Sequence, residues 1–362
     1  MLKKIAQLLG LIIVAGIGYL LLWPVPIDPK VWDAPKNAGY VGTFAPNTKL
    51  GNLKTISVDP YHGPEDAAVG PDGMVYASVK DGKILKIDPA SGKTTVFVES
   101  GGRPLGVEFG PDGMLYFTDS KKGVFRVSMD GKLELLTDQI TGGKKLVYAN
   151  DIDIAADGTV YFSHSSSKFG AATVGTYESS LLDLMEHGHY GEVFKWDPKT
   201  KETTKVAGGF SYANGLALSK DDDYLVVAST GEYKVDKIWL KGGKAGQKET
   251  IITNFPGFPD NINPAADGTF WIGLVSPRSD PIDDLAGKPF VRKIVQRLPA
   301  FMRPKATRYG FIVRFDGNGK IIEQLQDPSK SYGMTTGAAE GLKGQLIVTS
   351  LFEKSLGLLE RK

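Results

Sequence analysis

The sequence contains no cysteine, only four histidines and no excess of one charge. Without cysteine among its 362 residues, the chain cannot form disulfides, use a thiolate nucleophile or bind zinc through sulfur. The formal net charge is +2, with 43 basic residues interspersed among 41 acidic ones. This balance lacks the basic patch that nucleic-acid binding requires, so we expect no nucleic-acid partner. A G-x-S-x-G elbow, a P-loop and a GxGxxG pattern are also missing, which disfavours serine hydrolases and nucleotide-binding enzymes.

The sequence does contain one long apolar run, at its N-terminus. From Ile5 to Trp23 it reads "IAQLLGLIIVAGIGYLLLW", with a single strongly polar side chain. Its length is close to the ~20 residues that span a bilayer as a helix. We therefore predict a membrane anchor over residues 1–24, a linker over 25–39 and a globular domain over 40–362.

Charges beside the apolar run predict the orientation of the anchor. Lys3 and Lys4 precede the run, and no comparable cluster follows it. By the positive-inside rule, the N-terminus is expected in the cytoplasm and the globular domain on the periplasmic or other extracytoplasmic side of a single-pass protein. A cleaved signal peptide is the alternative, although "WPVPIDPK" offers no small-residue cleavage site.

A repeated unit fills the globular domain. Each copy has an apolar alternation, an Asp-Gly turn or a variant of it, and a strongly β-prone run. The six copies are "PEDAAVGPDGMVYAS", "RPLGVEFGPDGMLYFT", "YANDIDIAADGTVYFS", "YANGLALSKDDDYLVVA", "FPDNINPAADGTFWIG" and "MTTGAAEGLKGQLIVTS". They recur about every 40 to 45 residues, with two longer intervals. Because most copies continue into a third strand and a turn, each unit is expected to form the four antiparallel strands of a propeller blade.

We therefore predict an all-β fold, a six-bladed β-propeller over residues 40–362 behind an N-terminal transmembrane helix. The last copy ends near the C-terminus, so its outer strand should come from the segment "KTISVD" at the start of the domain. This arrangement would close the ring and leave no exposed sheet edge.

One position of the repeat carries oxygen-bearing side chains. It lies seven residues before the turn residue, where the innermost strand of each blade should begin. The turn residues are Asp72, Asp112, Asp157, Asp221, Asp267 and Lys343, and the corresponding positions are Glu65, Leu105, Asn150, Asn214, Asp260 and Thr336. Innermost strands line the axis of a propeller, so these side chains should converge. Asn261 stands beside Asp260 and would join them.

This convergence predicts a metal site with Glu65, Asn150, Asn214, Asp260 and Asn261 as ligands. Two carboxylates would repel each other unless a divalent cation neutralised them. Ligands that are all oxygen indicate a hard ion, and Ca²⁺ tolerates mixed carboxylate and amide coordination better than Mg²⁺ does. The alternative is structural, because axial polar residues and turn pairs such as "NG" and "DN" can simply hold water.

Two long insertions are expected to cover this site. They are "FGAATVGTYESSLLDLMEHGHY" and "RSDPIDDLAGKPFVRKIVQRLPAFMRPKATRY", each between the second and third strands of a blade. Such connections lie on the face where the innermost strand begins, so both should form a roof that suits a partly hydrophobic substrate. The basic, amphipathic stretch from Phe290 to Arg303 could instead contact a membrane surface or form a solvated helix.

Several runs resemble the strictosidine synthase-like family, in particular its membrane-anchored branch. They are "DIDIAADGTVYFSHSSSKF", "GEVFKWDPKTKET", "YANGLALSKDDDYLVVAST", "KIWLKGGKAG", "FPGFPDNI", "FWIGLVSPRS", "LAGKPFVRKIVQRLP" and "YGFIVRFDGNGKIIEQLQDP". That family is similar to calcium-dependent lactonases of the gluconolactonase type, paraoxonases and phosphotriesterases on the same six-bladed propeller. The resemblance implies a catalytic calcium held at the positions of Glu65, Asn150, Asn214 and Asp260, with Asn261 as a fifth ligand.

Two departures from the family pattern affect the expected chemistry. The alkaloid-forming synthase uses a glutamate on the inner strand of its last blade, but this sequence has Thr335 and Thr336 there and no acid from Met334 to Ala339. Pictet-Spengler condensation is therefore not expected. His164 stands where family members often have an aspartate and is a candidate general base, with a structural role as the alternative.

These observations support two functional hypotheses. The first is a calcium-dependent hydrolase of lactones or aryl esters, in which Asp260 or Glu65 accepts a proton from water or acts as the nucleophile. The second is a membrane-tethered propeller without catalysis, which binds a hydrophobic ligand or a protein partner and uses calcium as a structural plug. A loss of turnover on calcium removal would favour the first, and a change in melting temperature alone the second.

Overall fold

The structure, a computed structural model, describes residues 1–361 except the side chain of Lys343, the turn marker of the last repeat. Helix α1 (Leu2–Leu22) is long and apolar enough to cross a membrane. Most of the remaining chain forms six four-stranded antiparallel sheets, and their innermost strands contact one another in a closed ring. The predicted six-bladed β-propeller is confirmed.

The ring is closed by strands from both ends of the domain. Strand β1 (Lys54–Ser57) begins the domain but belongs to its last sheet. Five complete blades follow, each with its strands in chain order from axis to rim: β2–β5 (Ala67–Val69, Val75–Val79, Lys83–Ile87, Thr94–Glu99), β6–β9 (Pro104–Phe109, Leu115–Asp119, Gly123–Val127, Leu133–Thr137), β10–β13 (Ala149–Ile154, Val160–His164, Gly191–Trp196, Thr203–Phe210), β14–β17 (Ala213–Leu218, Tyr224–Ser229, Lys234–Trp239, Lys248–Ile252) and β18–β21 (Gly257–Pro264, Phe270–Pro277, Gly310–Phe315, Ile321–Asp327). The last blade contains β22 (Thr335–Glu340), β23 (Leu346–Ser350) and β24 (Ser355–Leu359), and β1 pairs with β24 at its rim. The predicted closure is therefore correct.

Asp-Gly turns connect the first and second strands of several blades. In the first blade, Gly73 has φ +77°, a conformation that glycine adopts without the penalty of a Cβ atom. The Asp72 carboxylate accepts a hydrogen bond from the Met74 amide at 3.1 Å and another from the Tyr76 hydroxyl at 3.0 Å. The repeated sequence signal therefore encodes a tight turn fixed by its own side chain.

The hydrophobic core lies between the blades. Six clusters of buried side chains each join one pair of neighbouring blades around the ring. Between blades four and five the cluster contains Tyr233, Phe258 and Phe270, and between blades five and six it contains the fully buried Trp271. Each blade thus packs against both of its neighbours, so the innermost strands around the axis form a rigid scaffold for their side chains.

Both insertions form short helices on the face where the innermost strands begin. The first contains α2 (Ala171–Val174) and α3 (Thr176–Glu186), and the second contains α4 (Asp280–Asp284), α5 (Pro289–Arg297) and a 3₁₀ turn (Ala300–Met302). Side chains from both insertions line a cavity above the axis. The predicted roof is confirmed. Further 3₁₀ turns are Gly42–Phe44, Thr230–Glu232, Gly242–Lys244 and Leu342–Gly344.

The segment expected as a linker lies against the propeller. Ile27 is buried with residues of the roof, and Trp32 stacks on His187 with ring centroids 4.0 Å apart. Further along, Tyr40 stacks on Tyr309 at 5.0 Å. These contacts fix where the chain leaves α1, so the position of the anchor is tied to the roof.

Candidate metal centre at the propeller axis

A cavity of about 310 Å³ lies at the axis beneath the roof. Four of the five predicted ligands, Glu65, Asn150, Asn214 and Asp260, line it. Asn261 lies behind Glu65, and none of the five is more than 6% exposed. The structure therefore brings together the residues that the repeat register selected.

Local backbone irregularity aims these side chains at the axis. The pairing register shifts at residues 149–152, 213–216 and 259–262, where a bulge interrupts the innermost strand. A bulge re-aims the side chains beside it. Asp260 and Asn261, although adjacent, consequently both reach the axis: Asp260 contacts Asn214, and Asn261 contacts Glu65.

The glycine after Asn214 permits the close approach of two innermost strands. A Cβ atom on Gly215 would lie 2.3 Å from the carbonyl oxygen of Asp260, a distance that no real Cβ atom adopts. Any other residue at this position would push β14 away from β18 and separate Asn214 from Asp260. The "NG" pair is thus required by the packing at the axis.

Hydrogen bonds link the five side chains into two groups. The Asn150 amide donates to Asn214 Oδ1 at 2.9 Å, and the Asn214 amide donates to Asp260 Oδ1 at 2.5 Å. Across the axis, the Asn261 amide donates to Glu65 Oε1 at 3.1 Å and to the Glu65 carbonyl oxygen at 2.9 Å. Each amide donates its N–H groups to a neighbour, and the amide oxygens of Asn150 and Asn261 accept no hydrogen bond from the described residues.

Three buried oxygen atoms of this group have no hydrogen-bond partner within residues 1–361. They are Glu65 Oε2, Asn150 Oδ1 and Asn261 Oδ1. Leaving a buried acceptor unsatisfied costs about 1–3 kcal/mol, so oxygen atoms of this kind are expected to bind a cation or ordered water. Because all the donor atoms are carboxylate or amide oxygens, the residues present fit Ca²⁺.

The electrostatics of the site lead to the same expectation. Burial, opposed by Arg103 and reinforced by Asp66, raises the pKa of Glu65 to about 7. Burial and the neighbouring Glu65 raise the pKa of Asp260 well above its usual range. Two buried carboxyls that resist ionisation together are stabilised as carboxylates by a divalent cation between them.

The other predicted positions behave differently. Leu105 lines the cavity as an apolar wall, and the Thr336 hydroxyl donates to the Glu65 carbonyl oxygen at 2.6 Å. His164 is 2% exposed at the end of β11, packs on Phe194 and lies outside the set of cavity-lining residues. Its Nε2 accepts a hydrogen bond from the Val147 amide at 3.0 Å. This placement favours a structural role for His164 over a role as general base.

Two tyrosines of the cavity wall were missed in the sequence. The Tyr212 hydroxyl donates to the Tyr148 hydroxyl at 2.5 Å, and the latter donates to the Thr176 carbonyl oxygen of the roof at 2.8 Å. Both lie two residues before a predicted ligand, in the repeated tripeptide "YAN". That repetition is a signal that could have identified them.

Buried charges around the axis were also missed. Arg103 lines the cavity and is 5% exposed. Asp66 and Asp151 directly follow Glu65 and Asn150, and each is about 2% exposed. Their carboxylates accept backbone N–H groups of the next blade, from Val107 at 2.9 Å and Leu216 at 2.8 Å respectively, and so fasten adjacent innermost strands together.

Sequence relatives identify the family. Profiles described as "Strictosidine synthase-like, N-terminal" and "Strictosidine synthase" match residues 42–87 and 150–243. The chain is 30% identical over 343 residues to adipocyte plasma membrane-associated protein of Salmo salar, covering 88% of this chain and 80% of that protein. It is 32% identical over 314 residues to the Arabidopsis thaliana protein strictosidine synthase-like 13, covering 77% and 76% respectively.

Solved structures share the fold at low sequence identity. A gluconolactonase from Xanthomonas campestris superposes with a TM-score of 0.62 at 17% identity, covering 92% of this chain and 96% of that one. The calcium-binding protein regucalcin from Agrobacterium tumefaciens gives a TM-score of 0.59 at 16% identity, covering 85% and 93%. The propeller is therefore related in fold to enzymes of the gluconolactonase and regucalcin type. The resemblance found in the sequence is confirmed, and the chain belongs to the strictosidine synthase-like family.

Proposed function

We propose that the protein is a membrane-anchored, calcium-dependent hydrolase of lactones or aryl esters. The observation that carries this proposal is a group of buried oxygen atoms without partners among the described residues: Glu65 Oε2 and Asn150 Oδ1 belong to residues that line a roofed cavity, and Asn261 Oδ1 belongs to the residue behind Glu65. The fold relatives support it, because one is a gluconolactonase and another is a calcium-binding protein.

The residues that would hold the ion are Glu65, Asn150, Asn214, Asp260 and Asn261. When bound, calcium would act as a Lewis acid that polarises the ester carbonyl and stabilises negative charge on its oxygen. Asp260 is the proposed proton acceptor: Asn214 holds its Oδ1, which leaves Oδ2 to take the proton of the attacking water. Glu65 would supply the second carboxylate to the ion and is positioned by Asn261.

The cavity wall favours a substrate with a hydrophobic part. Above the polar floor, the lining includes apolar side chains of both insertions and of the last blade, namely Tyr177, Leu181, Leu184, Ile282 and Phe352. These groups exclude water from the reacting ester and would bind an alkyl or aryl portion by apolar contact. Arg103 supplies a positive charge beside the floor that would favour a carbonyl acquiring negative charge.

The membrane anchor would hold the mouth of this cavity near the lipid surface. The guanidinium of Arg297 at the end of α5 donates to the carbonyl oxygens of Leu20 and Trp23 at the C-terminal end of α1. Near this junction, the side chains of Phe301 and Met302 are 78% and 56% exposed. We propose that α1 spans the membrane with a cytoplasmic N-terminus, the propeller being extracytoplasmic, and that the exposed apolar residues contact lipid.

Strictosidine synthase chemistry is not part of the proposal. The innermost strand of the last blade presents Thr335 and Thr336, both fully buried and engaged in hydrogen bonds. An acid that could act as the base for condensation is missing from this part of the strand, since Glu340 lies at its far end. Family membership therefore supports the fold but not that reaction.

The experiment is hydrolysis of phenyl acetate and a panel of γ- and δ-lactones by the full chain in detergent. We expect turnover that disappears with EDTA, returns with calcium and is abolished in Asp260→Asn and Glu65→Gln. Glu202→Gln, an exposed site on the rim, is the matched control and should retain full activity. Calcium-dependent melting without turnover on any substrate would replace this proposal with the binding module that uses a structural calcium.

A further inference from the structure

Two histidines and a glutamate meet outside the axial site, beside the C-terminal end of the roof helix α3. His187 follows the last residue of α3, His189 comes two residues later, and Glu232 ends the 3₁₀ turn after β15. One ring nitrogen of each histidine and one carboxylate oxygen of Glu232 lie within 4.8 Å of one another. Two imidazoles and a carboxylate are a common protein ligand set for zinc.

The carboxylate of Glu232 is oriented by its neighbours. Its Oε2 accepts a hydrogen bond from the Ser229 hydroxyl at 2.8 Å and lies 3.0 Å from the Lys234 ammonium. The other oxygen, Oε1, faces His189, whose Nε2 is 3.5 Å away. Oε2 is thus held by Ser229 and Lys234, as residues around a metal site commonly hold its ligands, while Oε1 faces His189.

His187 is also held in place from outside the cluster. Its Nδ1 lies 3.3 Å from the Ser211 hydroxyl, which leaves Nε2 as the second ring nitrogen. The ring stacks on Trp32 with an interplanar angle of 8°.

We propose that His187, His189 and Glu232 form a site for a divalent transition metal of the zinc class, with a fourth position open to water. Ligand atoms of a tetrahedral zinc ion are separated by about 3.3 Å, given bond lengths of about 2.0–2.1 Å. The His189–Glu232 separation of 3.5 Å already fits, and since all three ligand atoms lie within 4.8 Å of one another, the other separations need to close by at most about 1.5 Å. The side chain of His189 is 43% exposed and can move by this amount.

The nitrogen ligands distinguish this site from the axial one. Ca²⁺ and Mg²⁺ select oxygen ligands, whereas imidazole suits zinc and its neighbours among the transition metals. The two sites therefore take different ions, and this inference does not depend on the proposed hydrolase activity.

Metal binding here would fasten the roof over the cavity. His187 and His189 end the insertion whose helix α3 contributes Leu181 and Leu184 to the cavity lining. Glu232 belongs instead to the blade that provides Asn214. An ion that bridges them would tie α3 to a rigid blade and restrict opening of the roof.

The test is a Co²⁺ titration of the calcium-saturated full chain in detergent, followed by visible absorption. We expect one equivalent of cobalt with the intense d–d spectrum of tetrahedral coordination, displaced by zinc but not by further calcium. His189→Ala and Glu232→Gln should each weaken binding by at least about tenfold. His62→Ala is the matched control, because His62 is a half-buried histidine that pairs with Asp81 elsewhere on the propeller.

Two outcomes would overturn the inference. If the wild-type chain gives no tetrahedral cobalt spectrum, the three side chains do not form a metal site. If His189→Ala binds cobalt as tightly as wild type, the metal lies elsewhere. The role in fastening the roof has its own readout: zinc should slow amide hydrogen exchange over residues 176–186 in the wild-type chain and not in His189→Ala, and unchanged exchange would overturn that role.

Discussion

Replacing Glu65 by glutamine should stabilise the calcium-free protein while removing its response to calcium. Burial raises the pKa of the Glu65 carboxyl from 4.5 to about 7. Between these two pH values the unfolded chain releases a proton that the folded chain retains, so stability falls as the pH rises and stays low above pH 7. With about 1.4 kcal/mol per pKa unit, the charge on Glu65 costs about 3 kcal/mol at pH 8.

Glutamine keeps the shape of the side chain and carries no charge. The Asn261 amide can still donate to Oε1 of the glutamine, as it does to Glu65. In EDTA at pH 8, Glu65→Gln is therefore expected to be more stable than wild type by up to about 3 kcal/mol, with the difference vanishing near pH 4.5.

Calcium should reverse this order. For the wild-type chain, calcium at 1,000 times its dissociation constant adds about 4.1 kcal/mol to the free energy of unfolding, which exceeds the ~3 kcal/mol that the charge on Glu65 costs. Glu65→Gln removes one of the two carboxylates at the axis, so the same calcium concentration should add little. The two proteins would thus differ in opposite directions with and without the ion, a pattern that a simple packing change does not produce.

The assay is urea unfolding of the full chain in detergent, followed by circular dichroism, at pH 5 and pH 8 with EDTA or calcium. Glu202→Gln serves as the matched control, because this exposed residue lies on an outer turn, and it should behave as wild type. The reasoning is refuted if Glu65→Gln in EDTA is no more stable than wild type and still gains the full stabilisation from calcium.

Three further predictions follow from other parts of the structure. His164→Gln should keep full turnover. Because burial lowers the pKa of His164, the wild-type protein should lose stability as the pH falls below about 6.5, and the variant should lose less. Urea unfolding at pH 8 and pH 5.5 would measure this difference. Arg297→Gln should remove charge-assisted hydrogen bonds worth about 1.5–3 kcal/mol. The amide hydrogens of α5 should then exchange faster with solvent, while the melting temperature of the propeller stays unchanged. Unaltered hydrogen exchange would contradict the contact between α5 and α1. Deleting residues 1–57 should expose the edge of β24 and cause aggregation in size-exclusion chromatography, whereas deleting 1–24 should leave a folded monomeric propeller.

Local sequence patterns were enough to predict most of the fold. The alternation of apolar residues and the Asp-Gly turns depend on contacts within about 20 residues, and turns such as that at Asp72 are fixed by their own side chains. Because the same unit recurs, six copies predict six blades. The closing strand β1 could be predicted for a related reason, since the last copy is one strand short and an open ring would leave an unpaired edge.

The axial residues could be predicted because the propeller repeats its geometry. Asn150, Asn214 and Asp260 occupy one register position, and the ring brings equal positions to one point. His164 was a candidate from the family comparison and not from the register, and it ends a strand and faces the Val147 amide instead of the cavity. The direction of a side chain at a strand end depends on how the neighbouring chain segments pack against it, and this packing leaves no periodic signal in the sequence.

The sequence by itself determined the number of blades, the closure of the ring and the residues that converge on the axis, because each follows from short-range periodicity repeated around a ring. Only the tertiary structure decided how the roof lies on the propeller and which groups meet there. Arg297 reaches the end of α1, and His189 approaches Glu232 across 43 residues of chain, through contacts between insertions that have no counterpart in the other repeats. Such contacts depend on how separate elements pack in space, and packing of this kind is not encoded in any local pattern.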